Sequence, residues 1–205
     1  GDNASSNFPY FGANFWEDWE RPIHFEILEE DLSGYSANAG VKIFGGWSRG
    51  QNQKSLSIFA RSQYGYSSFE YPLFPNSEVS AYESFVLRNS GNDWTSSMLR
   101  DGFITGLADD TNIDHQLYRP AVVYLNGEYW GIQNIREKVN EHFLSSHHDI
   151  PSEHIDLLDI QGIYSENIVH GTNIDYLNLL DYLENNDIED SSVQSGIEGW
   201  IDINS

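Results

Sequence analysis

Three cations fall within thirteen residues of the stretch FGGWSRGQNQKSLSIFAR, Phe44 to Arg61: Arg49, Lys54 and Arg61. The chain holds only 10 Lys and Arg against 32 Asp and Glu, so scarce positive charge is gathered beside a glycine-rich turn. Gly45, Gly46 and Gly50 let that turn fold tightly. Its backbone N–H groups can then face an anion, with Arg49 and Lys54 supplying charge. The same residues would also suit two strands with solvated ends, and spacing alone leaves both readings open.

A lysine on a strand beside a loop of this kind is how kinase-type sites hold nucleotide phosphates. The pattern G-x-x-x-x-G-K-[ST] is absent, so the chain is not a P-loop protein. The block LRNSGNDW adds Arg88, Asn89 and Asp93 where a strand gives way to a helix, and Arg100-Asp101 follow on that helix. A helix carboxylate can orient a phosphate-binding lysine; Asp93 can equally be an N-cap. Glu137 lies between Arg136 and Lys138, which also fits a surface ion-pair cluster.

Other constellations carry less. His142, His147, His148 and His154 do not match H-E-x-x-H, so a solvated helix end explains them better than a metal site. The run ADDTNID lacks the glycine and final glutamate of a calcium loop. No Ser-His-Asp set is apparent. Trp16, Trp19, Trp47, Trp94 and Trp130 could form a sugar-stacking surface, although aromatic residues at strand positions are more often core.

The elements that must position these residues begin with RPIHFEIL, whose alternation places Ile23, Phe25 and Ile27 on one side of a strand. GVKIFGG and SLSIFAR read as two further strands around the cationic loop, and ESFVLRN as a fourth. Asp93 is expected to cap a helix starting near Trp94, with Met98, Leu99, Phe103 and Leu107 as its apolar stripe. RPAVVYLNGEYWGIQNIRE predicts a hairpin turning at Asn126-Gly127. VNEHFLSSHH reads as helix, HIDLLDI as a short strand, TNIDYLNLLDYLENND as an amphipathic helix and SSVQSGIEGWID as the start of another. The order predicts an α+β fold: an antiparallel sheet with a packed helix, then a mainly helical part.

The length of 205 residues fits one domain or a little more. A net charge of −22 argues against a nucleic-acid partner, because phosphate contacts need a basic face. There is no cysteine, hence no disulfide framework, and no apolar run approaches a membrane span. Every Lys and Arg lies at or before Lys138, whereas Val139 to Ser205 carry fourteen acids and no base. That polarity suits an anion pocket in the first part and a metal or basic partner in the second, or a solubilising acidic surface.

Three blocks, AGVKIFGGWSRGQNQKSLSIFAR, FVLRNSGNDWTSSMLRDGF and RPAVVYLNGEYWGIQNIREKVNEHFL, occur in that order and resemble the CotH kinase family. This is an atypical, secreted or spore-coat group of protein kinases found in large bacterial surface proteins. The blocks run from about Glu20 to Leu144. The resemblance implies a kinase-like fold, ATP with magnesium, and phosphoryl transfer to Ser or Thr of a secreted or surface protein. By position, Arg49 and Lys54 correspond to phosphate-contacting cations, and Glu137 to a glutamate near the nucleotide. Asp93, Arg100 and Asp101 correspond to a helix-start motif supporting Lys54.

The family's D-W-P-x-x-N-like block, with its catalytic Asp and metal ligands, has no counterpart here. The expectation is therefore an internal fragment of a larger surface protein, inactive alone, with the catalytic residues and metal ligands beyond Ser205. Residues 1–138 are expected to be the sheet-rich nucleotide-binding part and 139–205 an acidic helical part. Two rival readings are a non-catalytic kinase-like adhesion module and a carbohydrate-binding module using the tryptophans.

Overall fold

A computed structural model describes residues 4–162 and 165–201 of the chain. The chain divides into two compact units, Gly1–Lys138 and Val139–Ser205.

The first unit is a six-stranded sheet in which each neighbouring pair is antiparallel. The strands are β1 (Arg21–Leu28), β2 (Gly34–Phe44), β3 (Ser55–Phe59), β6 (Ser84–Arg88), β7 (Tyr118–Leu125) and β8 (Glu128–Glu137), in the order β1-β2-β3-β6-β8-β7. Two short strands, β4 (Phe69–Glu70) and β5 (Ala81–Tyr82), pair with each other within the β3–β6 connection. Period-two alternation turns Ile23, Phe25, Ile27, Ala37, Ala39, Ile58, Phe85 and Ile135 to one face. Phe69, Leu73, Phe74 and Tyr82 from the β3–β6 connection close over that face as the second layer of the core. Lys42, Ser57, Val86 and Arg136 share a register row on the opposite face.

The turn between β7 and β8 follows from two residues. Asn126 and Gly127 have φ of 52° and 84°, the pair of left-handed conformations that a type I′ hairpin requires and that Asn-Gly tolerates best. The two outermost strands are also tied together. Arg119 on β7 donates to Glu29, which follows β1, and to the Leu73 carbonyl at 3.1 Å, while the Tyr71 hydroxyl donates to the same Glu29. The sheet therefore curls until its two edges share one carboxylate.

The hydrogen bonds from Arg119 and Tyr71 outweigh burial and hold the Glu29 carboxyl below its usual pKa. A group lowered in this way stabilises the fold above its unfolded pKa and loses that contribution as pH falls through the folded value. Glu29→Gln is expected to lower the melting temperature at pH 7. It should also shrink the further loss between pH 5 and pH 3, measured by thermal melts of both proteins. An identical acid loss in wild type and variant would contradict this role.

The expected helix at Trp94 requires correction. Residues 91–98 form turns, with Ser90 and Met98 at positive φ, and α1 covers only Arg100–Gly106. Helical hydrogen bonding cannot run through two left-handed positions. The apolar stripe is not the packing face either, because Leu99, Phe103 and Leu107 are exposed. The face turned to β7 is instead that of Gly102, where an added Cβ would lie 2.5 Å from the Tyr118 ring.

The second unit holds α2 (Glu141–His148), α3 (Ile174–Asn185) and α4 (Ser191–Ile197). It also holds an antiparallel hairpin of β9 (Leu157–Gly162) and β10 (Ser165–His170), so it is mixed rather than mainly helical. Register shifts between Ser165 and Glu166 and between Ile168 and His170 break the period-two signal that would have marked β10 in the sequence. The Asn140 side chain caps α2 by accepting the Phe143 N–H at 3.1 Å, and Asp190 caps α4 from Ser192 at 2.8 Å. No helix among the described residues is long and apolar enough to cross a membrane.

Candidate functional site

The β2–β3 connection begins at Gly45, whose φ of 105° lies where a side chain is strained. It continues through a 3-10 turn, Trp47–Gly50. Arg49 folds back on this turn, its Nε donating to the Gly45 carbonyl at 2.6 Å and its Nη1 to the Phe15 carbonyl at 3.2 Å. Lys54, the residue before β3, donates through Nζ to the carbonyls of Arg49 at 2.7 Å and Gln51 at 2.5 Å. The Phe15 ring lies 4.0 Å from the same ammonium. Burial pushes the lysine below its ordinary pKa, since removal from water disfavours the charged form. Both cations are thus brought together at the loop and sheltered, with backbone carbonyls as their partners.

A buried amide network fixes the far end of the loop. The Asn89 amide donates to the Gln53 carbonyl at 2.7 Å, and the Ser55 hydroxyl donates to Asn89 Oδ1 at 2.9 Å. Gln133 Nε2 donates to the Lys54 carbonyl at 2.6 Å, and Gln53 Nε2 to that of Ile132 at 3.2 Å. Gln53, Ser55, Asn89 and Gln133 are each no more than 5% exposed. Sequence reasoning missed Gln53 and Gln133 as parts of the site. The available signal was Gln133-Asn134 set between Ile132 and Ile135 in a strand, because polar side chains there need buried partners.

The remaining candidates are held elsewhere in the unit. Glu137 is 3% exposed and pairs in register with Phe85; its Oε2 accepts the Leu117 N–H at 3.0 Å. Gln133 is the β8 residue beside Lys54, and Glu137 lies four residues farther, about 13 Å along the strand. Asp93 is buried and closes the turn before α1: its Oδ2 accepts from Ser97 Oγ at 2.6 Å and from the Arg100 N–H at 3.2 Å. The Ser97 bond, against some burial, lowers its pKa, with help from the Arg100 N–H and charge. Arg100 completes this pair at 3.4 Å.

Asp101, in the first turn of α1, accepts from Arg136 Nη1 at 2.7 Å and lies 3.4 Å from Arg88 Nε. The helix carboxylate therefore orients Arg136 and Arg88, while Lys54 takes its partners from loop carbonyls. Among the described residues, no three His, Asp or Glu side chains come together as a metal site. Of the tryptophans, Trp47 is 66% and Trp19 48% exposed, both outside the core.

The first unit is thus an antiparallel sheet that carries two sheltered cations at a glycine-containing strand connection. A profile of the family described as CotH kinase protein matches residues 41–205, well over half of the chain, and the chain belongs to that family. The match begins within β2 and runs through the second unit, so it leaves out β1 and the segment before it while extending beyond Leu144. None of the curated proteins compared with the chain matches it.

Proposed function

We propose that the chain holds ATP, carried with magnesium, on the phosphate side of an atypical kinase that phosphorylates Ser or Thr hydroxyls. Its substrates in this reading are secreted or cell-surface proteins of a bacterium, and the chain is one part of a larger surface protein. The observation that carries the proposal is Lys54, sheltered at the end of a glycine-containing strand connection in a member of the CotH kinase protein family.

A phosphate oxygen is a stronger acceptor for Lys54 than either loop carbonyl, because its negative charge adds direct attraction to the ammonium. Arg49 can make the same exchange with its planar donor fork. Gln53, Asn89 and Gln133 hold the loop so that both side chains return to the same place. Glu137 acts at a distance in this reading, fixing the start of β7 through Leu117. Asp93, Arg100 and Asp101 hold α1 and its approach. Bound magnesium would neutralise charge on the phosphates; no residue of this chain is assigned as its ligand or as the catalytic base.

Photo-crosslinking tests the placement. Labelled azido-ATP with magnesium is expected to modify peptides within residues 45–61, with protection by unlabelled ATP. Labelling confined to peptides outside that stretch, or unaffected by ATP, would overturn the assignment.

A further inference from the structure

The segment FWEDWE, Phe15 to Glu20, lies ahead of the family-matched region and engages five of the chain's ten basic residues: Arg21 over the Trp19 ring and four cations around β2 and β3. Arg49 donates to its Phe15 and Trp16 carbonyls, and the Arg49 guanidinium stands 5.7 Å from the Trp16 ring. The Lys54 ammonium faces the Phe15 ring. On β2, Lys42 pairs with Asp18 at 3.0 Å. Beyond β3, Arg61 reaches both carboxylate oxygens of Glu20 at 2.9 Å, and Tyr64 donates to that carboxylate at 3.0 Å. These four cations belong to β2, β3 and their adjoining loops. One short stretch thus presents carbonyls and an aromatic face to Arg49 and Lys54, the cations assigned to phosphates, and carboxylates to their neighbours Lys42 and Arg61.

From this arrangement we infer that residues 15–20 form an intramolecular strap that competes with phosphate-bearing ligands for the cationic side of the β2–β3 unit. The inference rests on the ATP reading given above. The strap is built to be displaced. Backbone hydrogen bonds at its start are local, Trp16 N–H to Ala13 O at 2.9 Å and Glu17 N–H to Asn14 O at 3.2 Å. The β1–β2 ladder begins only at Arg21 and Val41. What holds the segment on β2 and β3 is therefore its contact with the cations, joined at Glu20 by Tyr64 and Gln63. The Asp18 side chain is 81% exposed, so its pair with Lys42 is weak. The firmer contacts are the Phe15 ring on Lys54 and the sheltered Glu20 on Arg61. A polyphosphate that takes Lys54 and Arg49 removes the Phe15 and Trp16 anchors together, and the strap loosens at that end while Glu20 keeps Arg61 and Tyr64.

The test measures Mg–ATP affinity of the full chain and of three variants, Phe15→Ala, Asp18→Asn/Glu20→Gln and Lys54→Ala. Hydrogen exchange of residues 14–20, with and without Mg–ATP, needs no variant and covers the case in which Glu20→Gln fails to fold. Both strap variants are expected to bind about tenfold more tightly, within the usual range of coupling between sites. Lys54→Ala should bind far less, and residues 14–20 should exchange faster with nucleotide bound. A merely structural strap would instead leave affinity unchanged or weakened. Lys54-dependent binding with unchanged strap-variant affinity and protected strap amides would overturn the strap but leave the ATP site standing. Absence of binding in every variant would overturn the ATP site and the strap with it.

Discussion

Asp101→Ala is expected to lower the stability of the first unit by about 1–3 kcal/mol, the cost of leaving the buried Arg136 without its carboxylate, which is itself 31% exposed. Arg136 has 0% relative exposure. Its Nη1 bonds Asp101, and its Nη2 bonds Thr105 Oγ1 at 3.2 Å and the Gln116 carbonyl at 3.1 Å. Burial already pushes Arg136 below its ordinary pKa, and the Asp101 charge is the largest influence opposing that fall. Without Asp101 the guanidinium keeps neutral hydrogen-bond acceptors, the nearby cation Arg88 and the weaker attraction of Glu137. The second loss is α1, which Asp101 ties to β8 by this contact. Urea unfolding of both proteins measures the difference. Arg136→Met combined with Asp101→Ala should recover much of it, because the double change leaves no buried charge uncompensated. A loss below about 1 kcal/mol in the single variant would contradict a load carried by this pair.

Lys54→Ala is expected to slow phosphoryl transfer by on the order of 10³-fold, the scale on which a positioned cation acts in such reactions. The comparison belongs in a form of the protein that transfers phosphate to an acceptor. Stability should change far less, because the residue is half-buried at a loop and its partners are two carbonyls and a ring; a net loss of about 1 kcal/mol is expected. The separation of the two effects is what identifies a ligand-binding lysine. A purely structural lysine would lower stability and rate together. Lys54→Arg should recover little, since the rigid guanidinium fork does not reproduce a compact ammonium between two carbonyls. Unchanged turnover in Lys54→Ala would remove the lysine from the phosphate site.

What the sequence revealed, and what it hid, follows from the range of the interactions. Asn126-Gly127 specifies its turn locally, and the alternation of Ile23, Phe25 and Ile27 specifies a core face within eight residues. Both were legible. The start of α1 was not, because Ser90 and Met98 adopt positive φ without being glycine. Asp93 then serves the helix from seven residues upstream by accepting the Arg100 N–H. In the candidate site, Arg49 and Lys54 stood out because cations are rare in this chain. Their partners did not: Phe15 lies 34 residues before Arg49, and Gln133 lies 79 residues after Lys54. Asp101 was recognisable as a helix carboxylate with a cation to orient, yet its pairing with Arg136 spans 35 residues. Only the assembled sheet decides that Arg136, rather than Lys54, is that cation.

The central claim is that the cations at the β2–β3 connection hold nucleotide phosphates, and isothermal titration of Mg–ATP into this chain tests it most directly. The account predicts saturable one-site binding that weakens at higher salt and falls at least tenfold in Lys54→Ala, with the variant still folded by circular dichroism. Equal affinity in the wild-type chain and a folded Lys54→Ala, or no binding by either, would contradict it.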